Sequence, residues 1–301
     1  MTIPPQLLGL SVIDAPSSAG AYGPGQELAP AAFRRYGLLR ILGRRRMIRD
    51  CTSRPPVRWR DDPDNPSARN VAQVAEVATT LAGQVNAAFA EGNAVLELGG
   101  DCTVELGVVT GAVADGSNVG LIYIDGDADL NTPATGDGVL DWMGMAHLLD
   151  VEGAHPGLAG PGTRRPLLSP DSVTLCGVDN ITDAEQAVVE RLRLRVERLD
   201  HVMGDLAAVI ARTRTWAGRF DRLLVHVDFD VLAQAEFAIA ENTRRTRGLT
   251  LALLGRLLAE LCALPNWRGL TLTEINPERP PDQQRAFEQL IDMLDSALPH
   301  R

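Results

Sequence analysis

Short unbroken apolar runs alternate along this chain with longer stretches in which apolar residues return every third or fourth position. The runs are too short for buried helices and lack the alternation of half-exposed strands, so they predict strands buried on both faces. Such strands are predicted over 6–13, 94–98, 119–124, 172–177, 223–227 and 269–275. Pro30 opens a predicted helix that runs through Leu39 and Leu42, and Val71, Val74, Val77 and Leu81 mark another that ends at Ala90. Further helices are predicted over 184–192, 201–214, 249–261 and 282–298. Between these elements lie a turn-rich loop from Asp14 to Gly25 and the polar segment Asp61-Asp62-Pro63-Asp64-Asn65-Pro66. Strands separated by helices imply an α/β fold with a mainly parallel sheet covered on both faces. No repeat, low-complexity tract or linker interrupts the alternation, so one domain over residues 1–301 is expected.

Ligands on such sheets bind beyond the carboxyl ends of the strands. Carboxylates crowd those ends here: Asp125-Gly126-Asp127-Ala128-Asp129 follows the run Leu121-Ile122-Tyr123-Ile124, and Asp228-Phe229-Asp230 follows Leu223-Leu224-Val225-His226-Val227. Cys102 and Glu274 fall at two further strand ends. Alternate residues of an extended chain point the same way, so Asp125, Asp127 and Asp129 are able to converge. Neighbouring carboxylates repel, and without a positive charge among them some must hold protons. A divalent metal is the usual remedy, and an oxygen-rich set suits magnesium, calcium or manganese. Taken singly, these residues have plainer roles: an aspartate at a strand end caps a helix, and a free cysteine fills a core.

Composition narrows the partners. With 301 residues, 45% of them hydrophobic, the chain has ample material for a large core. A net charge of −10 and no isolated basic stretch argue against nucleic acid and anionic membranes, which leaves a small or cationic partner. Cys51, Cys102, Cys176 and Cys262 are widely spaced without a CxxC, so neither a zinc ribbon nor a disulfide scaffold is indicated. A reducing cytoplasmic location is expected, since no basic start leads into an apolar stretch and no apolar run approaches a membrane span.

Gly99-Gly100-Asp101-Cys102, Asp125-Gly126-Asp127-Ala128-Asp129, Asp228-Phe229-Asp230 and Thr273-Glu274-Ile275-Asn276-Pro277 together resemble the signature segments of the arginase/agmatinase ureohydrolase family, in the family's order. Asp14-Ala15-Pro16, Gly25-Gln26-Glu27-Leu28-Ala29-Pro30 and Asn131-Thr132-Pro133 extend the resemblance over nearly the whole chain. It implies a three-layer αβα sandwich on an eight-stranded parallel sheet, a homo-oligomer (trimer or hexamer), and a manganese centre. It also implies metal-binding roles for Asp125, Asp129, Asp228 and Asp230, and a guanidinium-facing role for Glu274. Substrate contacts are implied at Asn131 and near Asn180 and Thr182, where arginases place acidic residues, so arginine is not the obvious ligand.

Three histidine positions of the family are replaced. Cys102 and Asp127 stand where metal-binding histidines are usual, and Met143 is matched to the proton-shuttle histidine. Ala233-Gln234 replaces an Asp-Pro pair. His147, four residues beyond Met143, would share its face on a helix, although a structural role is the commoner one; His226, alternating with valines, is read as structural. Arg244, Arg245 and Arg247 form a loop run suited to an anionic substrate. Five aspartates and a thiolate set six negative charges against the four of two divalent ions, which predicts a less acidic bridging water, a single ion, or zinc held partly by Cys102. The expected protein is a divergent hydrolase of a carbon–nitrogen bond in a guanidino or amidino compound. Cys102 and Asp129 would bind one ion and Asp127 and Asp230 the other, with Asp125 and Asp228 between them and Asp129 and Glu274 in the chemistry. The alternative is a catalytically retired, metal-free homologue kept for ligand binding or oligomer contacts.

Overall fold

A computed structural model describes residues 8–51, 55–160 and 164–300. Among the described residues eight strands form one sheet: β1 (Leu10–Asp14), β2 (Ile48–Cys51), β3 (Ala94–Leu98), β4 (Val119–Ile124), β5 (Val173–Val178), β6 (Arg195–Arg198), β7 (Arg222–Asp228) and β8 (Trp267–Thr273). Their order is β2-β1-β3-β8-β7-β4-β5-β6, with every neighbouring pair parallel. The predicted central strands are present, each within a few residues of its expected limits. Part of the first predicted strand, residues 6–7, lies outside the described residues.

The helices are α1 (Ala29–Arg35), α2 (Leu38–Leu42), α3 (Val71–Ala90), α4 (Glu105–Val113), α5 (Gly144–Leu148), α6 (Asp183–Leu192), α7 (Leu199–Gly204), α8 (Leu206–Ala217), α9 (Leu251–Cys262) and α10 (Gln283–Ala297). Two predicted helices are divided. The one opened by Pro30 breaks at Gly37, whose φ of 91° is left-handed and ends a right-handed helix. The other breaks at Asp205, whose side chain accepts a hydrogen bond from Ala208 N and starts α8 afresh.

Adjacent strand residues feed opposite cores. Leu96 and Ile122 pack with α1, α2 and α7–α10 on one face, while Val95, Leu121 and Tyr123 pack with α3–α6 on the other. The result is the expected αβα sandwich. Burial on both faces explains why the central strands read as continuous apolar runs. The edge strands β2 (Ile-Arg-Asp-Cys) and β6 (Arg-Val-Glu-Arg) are short and partly exposed, carry no such run, and were not predicted.

Candidate functional site

The strand order places β3, β8, β7 and β4 side by side, so the turns after them share one end of the sheet. Asp125 follows β4 and Asp228 ends β7, which are paired through Ile124 and Val227. Both aspartates build the same turn. Asp125 Oδ1 accepts from Asp127 N and Asp228 Oδ1 from Asp230 N, each at 2.6 Å. One oxygen of each is thereby committed, and the other is left over. Asp228 Oδ2 accepts from the Cys102 thiol at 3.2 Å, whereas Asp125 Oδ2 is buried without a partner.

Cys102 arrives from the turn after β3, where a side chain on Gly100 would collide with the Ser17 backbone. Asp129 and Glu274 both have left-handed backbones, with φ of 53° and 62°. Non-glycine residues are held there at a cost and cluster at functional sites. Tyr123 donates to Asp129 Oδ2 at 2.5 Å, and Gln26 donates to Glu274 Oε2 at 3.1 Å. Oxygens on Asp230 (Oδ1) and Glu274 (Oε1) are also buried and unpartnered.

Donor atoms of Cys102, Asp125 and Asp129 lie within 4.8 Å of one another, as do those of Asp125, Asp228 and Asp230, and those of Cys102, Asp141 and Glu274. Asp125 joins the first group to the second and Cys102 joins the first to the third. Asp127, expected as a ligand, belongs to none of them: it accepts from Asn180 Nδ2 at 2.5 Å and is ion-paired to Arg245. Asn180, expected to touch substrate, is therefore tied to Asp127, and Asn131 lines the pocket wall with its Oδ1 accepting from Thr135 at 3.3 Å. The pocket above the cluster has a volume of about 760 Å³.

One site residue escaped sequence reasoning, and others named there take different places. Asp141, rather than Met143, reaches the cluster: its carboxyl accepts from Cys102 N at 2.7 Å and brings a donor atom within 4.8 Å of those of Cys102 and Glu274, while Met143 is fully buried in the core. The signal was the carboxylate two residues ahead of Met143. His147 turns back to its own helix, with Nδ1 2.6 Å from the Met143 carbonyl oxygen, and burial lowers its pKa to about 4. His226 stacks on Tyr123 with ring centroids 4.0 Å apart and lies behind Cys102, with Nε2 3.5 Å from the sulfur and Nδ1 3.1 Å from Glu105 Oε2. Of the arginine run, Arg247 pairs with Asp179 and Asp200, Arg244 is exposed at the pocket, and Arg245 enters the acid cluster.

The electrostatics follow from the crowding. Burial, then the neighbouring carboxylates, push Asp125, Asp129 and Asp228 well above the ordinary carboxylate range. Burial, then Asp141 and Asp228, do the same to Glu274. Asp141 is pushed up to about 8, chiefly by burial and Asp101. Burial also raises the Cys102 thiol, with Asp228 adding to it. Asp127 rises only to about 6, because Arg245 and Asn180 offset burial and Asp230. Buried oxygens with no partner and carboxyls too close to ionise together fit a hard or borderline divalent cation, and the thiol adds affinity for a softer one.

A sequence model of the arginase family matches residues 9–297. The chain belongs to the arginase family. Arginase-1 of Homo sapiens is 26% identical to it over 274 residues, covering 89% of this chain and 85% of the human protein. Arginase-2, mitochondrial, of Rattus norvegicus is 27% identical over 294 residues, covering 92% and 80%. Among solved structures, arginase from Bacillus subtilis superposes with a TM-score of 0.86 at 21% identity, over 97% of this chain and 99% of that one. Formimidoylglutamase from Bacillus subtilis superposes with a TM-score of 0.72 at 16% identity, over 97% and 87%. The arginase-family fold thus carries a site in which cysteine and aspartate stand at the positions matched above to family histidines.

Proposed function

We propose that this protein is a divalent-metal-dependent hydrolase of a carbon–nitrogen bond in a guanidino or amidino compound. The observation that carries this reading is the convergence of Cys102, Asp125, Asp129, Asp228 and Asp230, with buried oxygens to spare, beneath a pocket walled by Glu274. Cys102, Asp125, Asp129 and Asp228 would hold the cation, manganese or a more thiophilic ion such as zinc. When bound, it supplies Lewis acidity that makes water a competent nucleophile at neutral pH.

The remaining steps belong to the chain's own residues. Glu274, fixed by Gln26 and with its Oε1 unpartnered, receives the planar cationic head of the substrate and orients its central carbon. Asp141, with a donor atom within 4.8 Å of one on Glu274, is placed to hold a proton and release it to the departing amine. Asp141 thus fills the donor role left open by Met143. Asn131 and the exposed Arg244 line the pocket farther out and would meet the substrate's other end.

Full relatives that share the fold are named as arginases and as a formimidoylglutamase, which supports a guanidino or amidino head without selecting one. The test is to purify the protein without chelator, measure bound metal, and then assay urea and ammonia release from a panel of guanidino and amidino compounds with manganese or zinc. Metal-dependent release is expected. Bound metal with no product from any member of the panel would leave a binding protein and end the hydrolase reading.

A further inference from the structure

Arg245 is a basic side chain driven into the acid cluster, with only 9% of its side-chain surface exposed. It is ion-paired with Asp127, and its Nε and Nη2 each lie 3.4 Å from Asp230 Oδ2. Its guanidinium carbon sits over the turn between Asp125 and Asp127, where a Cβ on Gly126 would come within 2.6 Å of it. Glycine at 126 is what makes room for the guanidinium.

The oxygens facing Arg245 are committed inside the protein. Asp127 Oδ1 accepts from Asn180 at 2.5 Å, Asp127 Oδ2 takes Arg245, and Asp230 Oδ2 accepts from Asn242 at 2.9 Å as well as from Arg245. Asp230 Oδ1 is the oxygen of this pair left without a partner. On the other side of the cluster, no arginine or lysine is hydrogen-bonded to Cys102, Asp125, Asp129 or Asp228 among the described residues, and the one imidazole there, His226, meets the Cys102 sulfur at 3.5 Å.

We propose that the Arg245 guanidinium serves as this protein's second cation, occupying the Asp127–Asp230 side of the cluster, so that the centre takes one divalent ion and not two. The inference rests on the metal-binding reading above and narrows it. Asp125, Asp228 and Asp230 also bring donor atoms together, but an ion held there would share Asp230 with a fixed positive charge. Like charges at that separation in a buried site oppose each other strongly. A guanidinium keeps its proton throughout the accessible pH range and cannot be chelated away. It satisfies carboxylates as a metal does, through directional N–H bonds, yet offers no open position for water. The Asp127–Arg245 pair is also neutral as a unit, as a histidine ligand would be. Cys102, Asp125, Asp129 and Asp228 would then hold the one ion that supplies Lewis acidity to the centre.

The experiment is a count that needs no substrate. Apoprotein is dialysed against excess manganese, freed of unbound ion, and examined by elemental analysis and electron paramagnetic resonance. Wild type is expected to hold one manganese per chain with an uncoupled spectrum. Arg245→Met is expected to hold two with an exchange-coupled spectrum. Arg245→Gln, which keeps a donor for Asp127 but loses the charge, is the second variant and should also hold two. Two ions in the wild type, or one in a folded neutral variant, overturns the assignment of Arg245 while leaving the metal-binding reading intact. No ion in the wild type, either with manganese or in a parallel dialysis against zinc read by elemental analysis, overturns that reading itself.

Discussion

In the mechanism proposed above, the proton for the leaving group rests on a single side chain, Asp141. It lies against Glu274 and the Cys102 backbone, and burial, with Asp101, pushes its pKa up to about 8, which favours the protonated carboxyl that a leaving amine requires. Asparagine has the same shape but no acidic proton. Asp141→Asn is therefore expected to lower kcat by roughly 10²- to 10⁴-fold, the usual contribution of a positioned acid, while metal content stays at the wild-type level. Steady-state kinetics beside elemental analysis checks this, and an unchanged kcat would remove Asp141 from the mechanism. At this scale the sequence was most informative where chemistry and strand position coincide, as for Asp125, Asp129, Asp228 and Glu274. It was least informative where a loop chooses which neighbour turns inward: Met143 marks a lost histidine and carries no chemistry, while Asp141, two residues before it, goes unremarked, because only the fold shows which of them meets Glu274.

Elements differ in how openly they announce themselves. The central strands were legible because burial on both faces demands unbroken apolar runs, and α3 because its apolar positions recur at helical spacing up to Ala90. Edge strands β2 and β6 face solvent along part of their length, so charged residues are tolerated and the signal vanishes. Strand β3 carries an anomaly, Glu97, a fully buried carboxyl with neither oxygen hydrogen-bonded. Burial, then Glu105, hold its pKa well above the ordinary value, so over that window the folded state binds a proton that the unfolded state has released. Stability then falls as pH rises, by up to about 1.4 kcal/mol per pH unit from the unfolded pKa to the folded one. Glu97→Gln cannot ionise. Its stability relative to wild type should improve steadily with rising pH, measured as the difference in urea midpoints between acid and neutral buffers; parallel pH profiles would show that Glu97 is not the origin.

For the whole molecule, the acid cluster is a conflict that the sheet imposes and that, in the reading proposed above, a bound cation would resolve. Helices on both faces fix the strands, the strands fix the turns, and the turns hold mutually repelling carboxyls at one end of the sheet. Because the unfolded chain scatters those groups, an ion that binds only the folded state stabilises it by mass action, about 2.7 kcal/mol at a concentration one hundred times Kd. Saturating manganese or zinc is expected to raise Tm by several degrees, and a chelator to reverse the change. A melting curve indifferent to both would mean that the carboxyls settle their repulsion with protons and Arg245 alone. Among the described residues no helix is long and apolar enough to cross a membrane, in keeping with the absence of long apolar runs.

The sequence by itself determined the class of fold and the acidic strand ends, because burial dictates hydrophobic runs and strand-end carboxylates stand out as local patterns. Only the tertiary structure decided which of those carboxylates face one another and which are claimed elsewhere. Asp127 and Arg245 are 118 positions apart, and no local pattern joins them; they meet because the sheet sets β4 beside β7 and the loop after β7 folds back over Gly126. Pairing across such distances depends on the packing of the whole chain, which residue spacing does not encode.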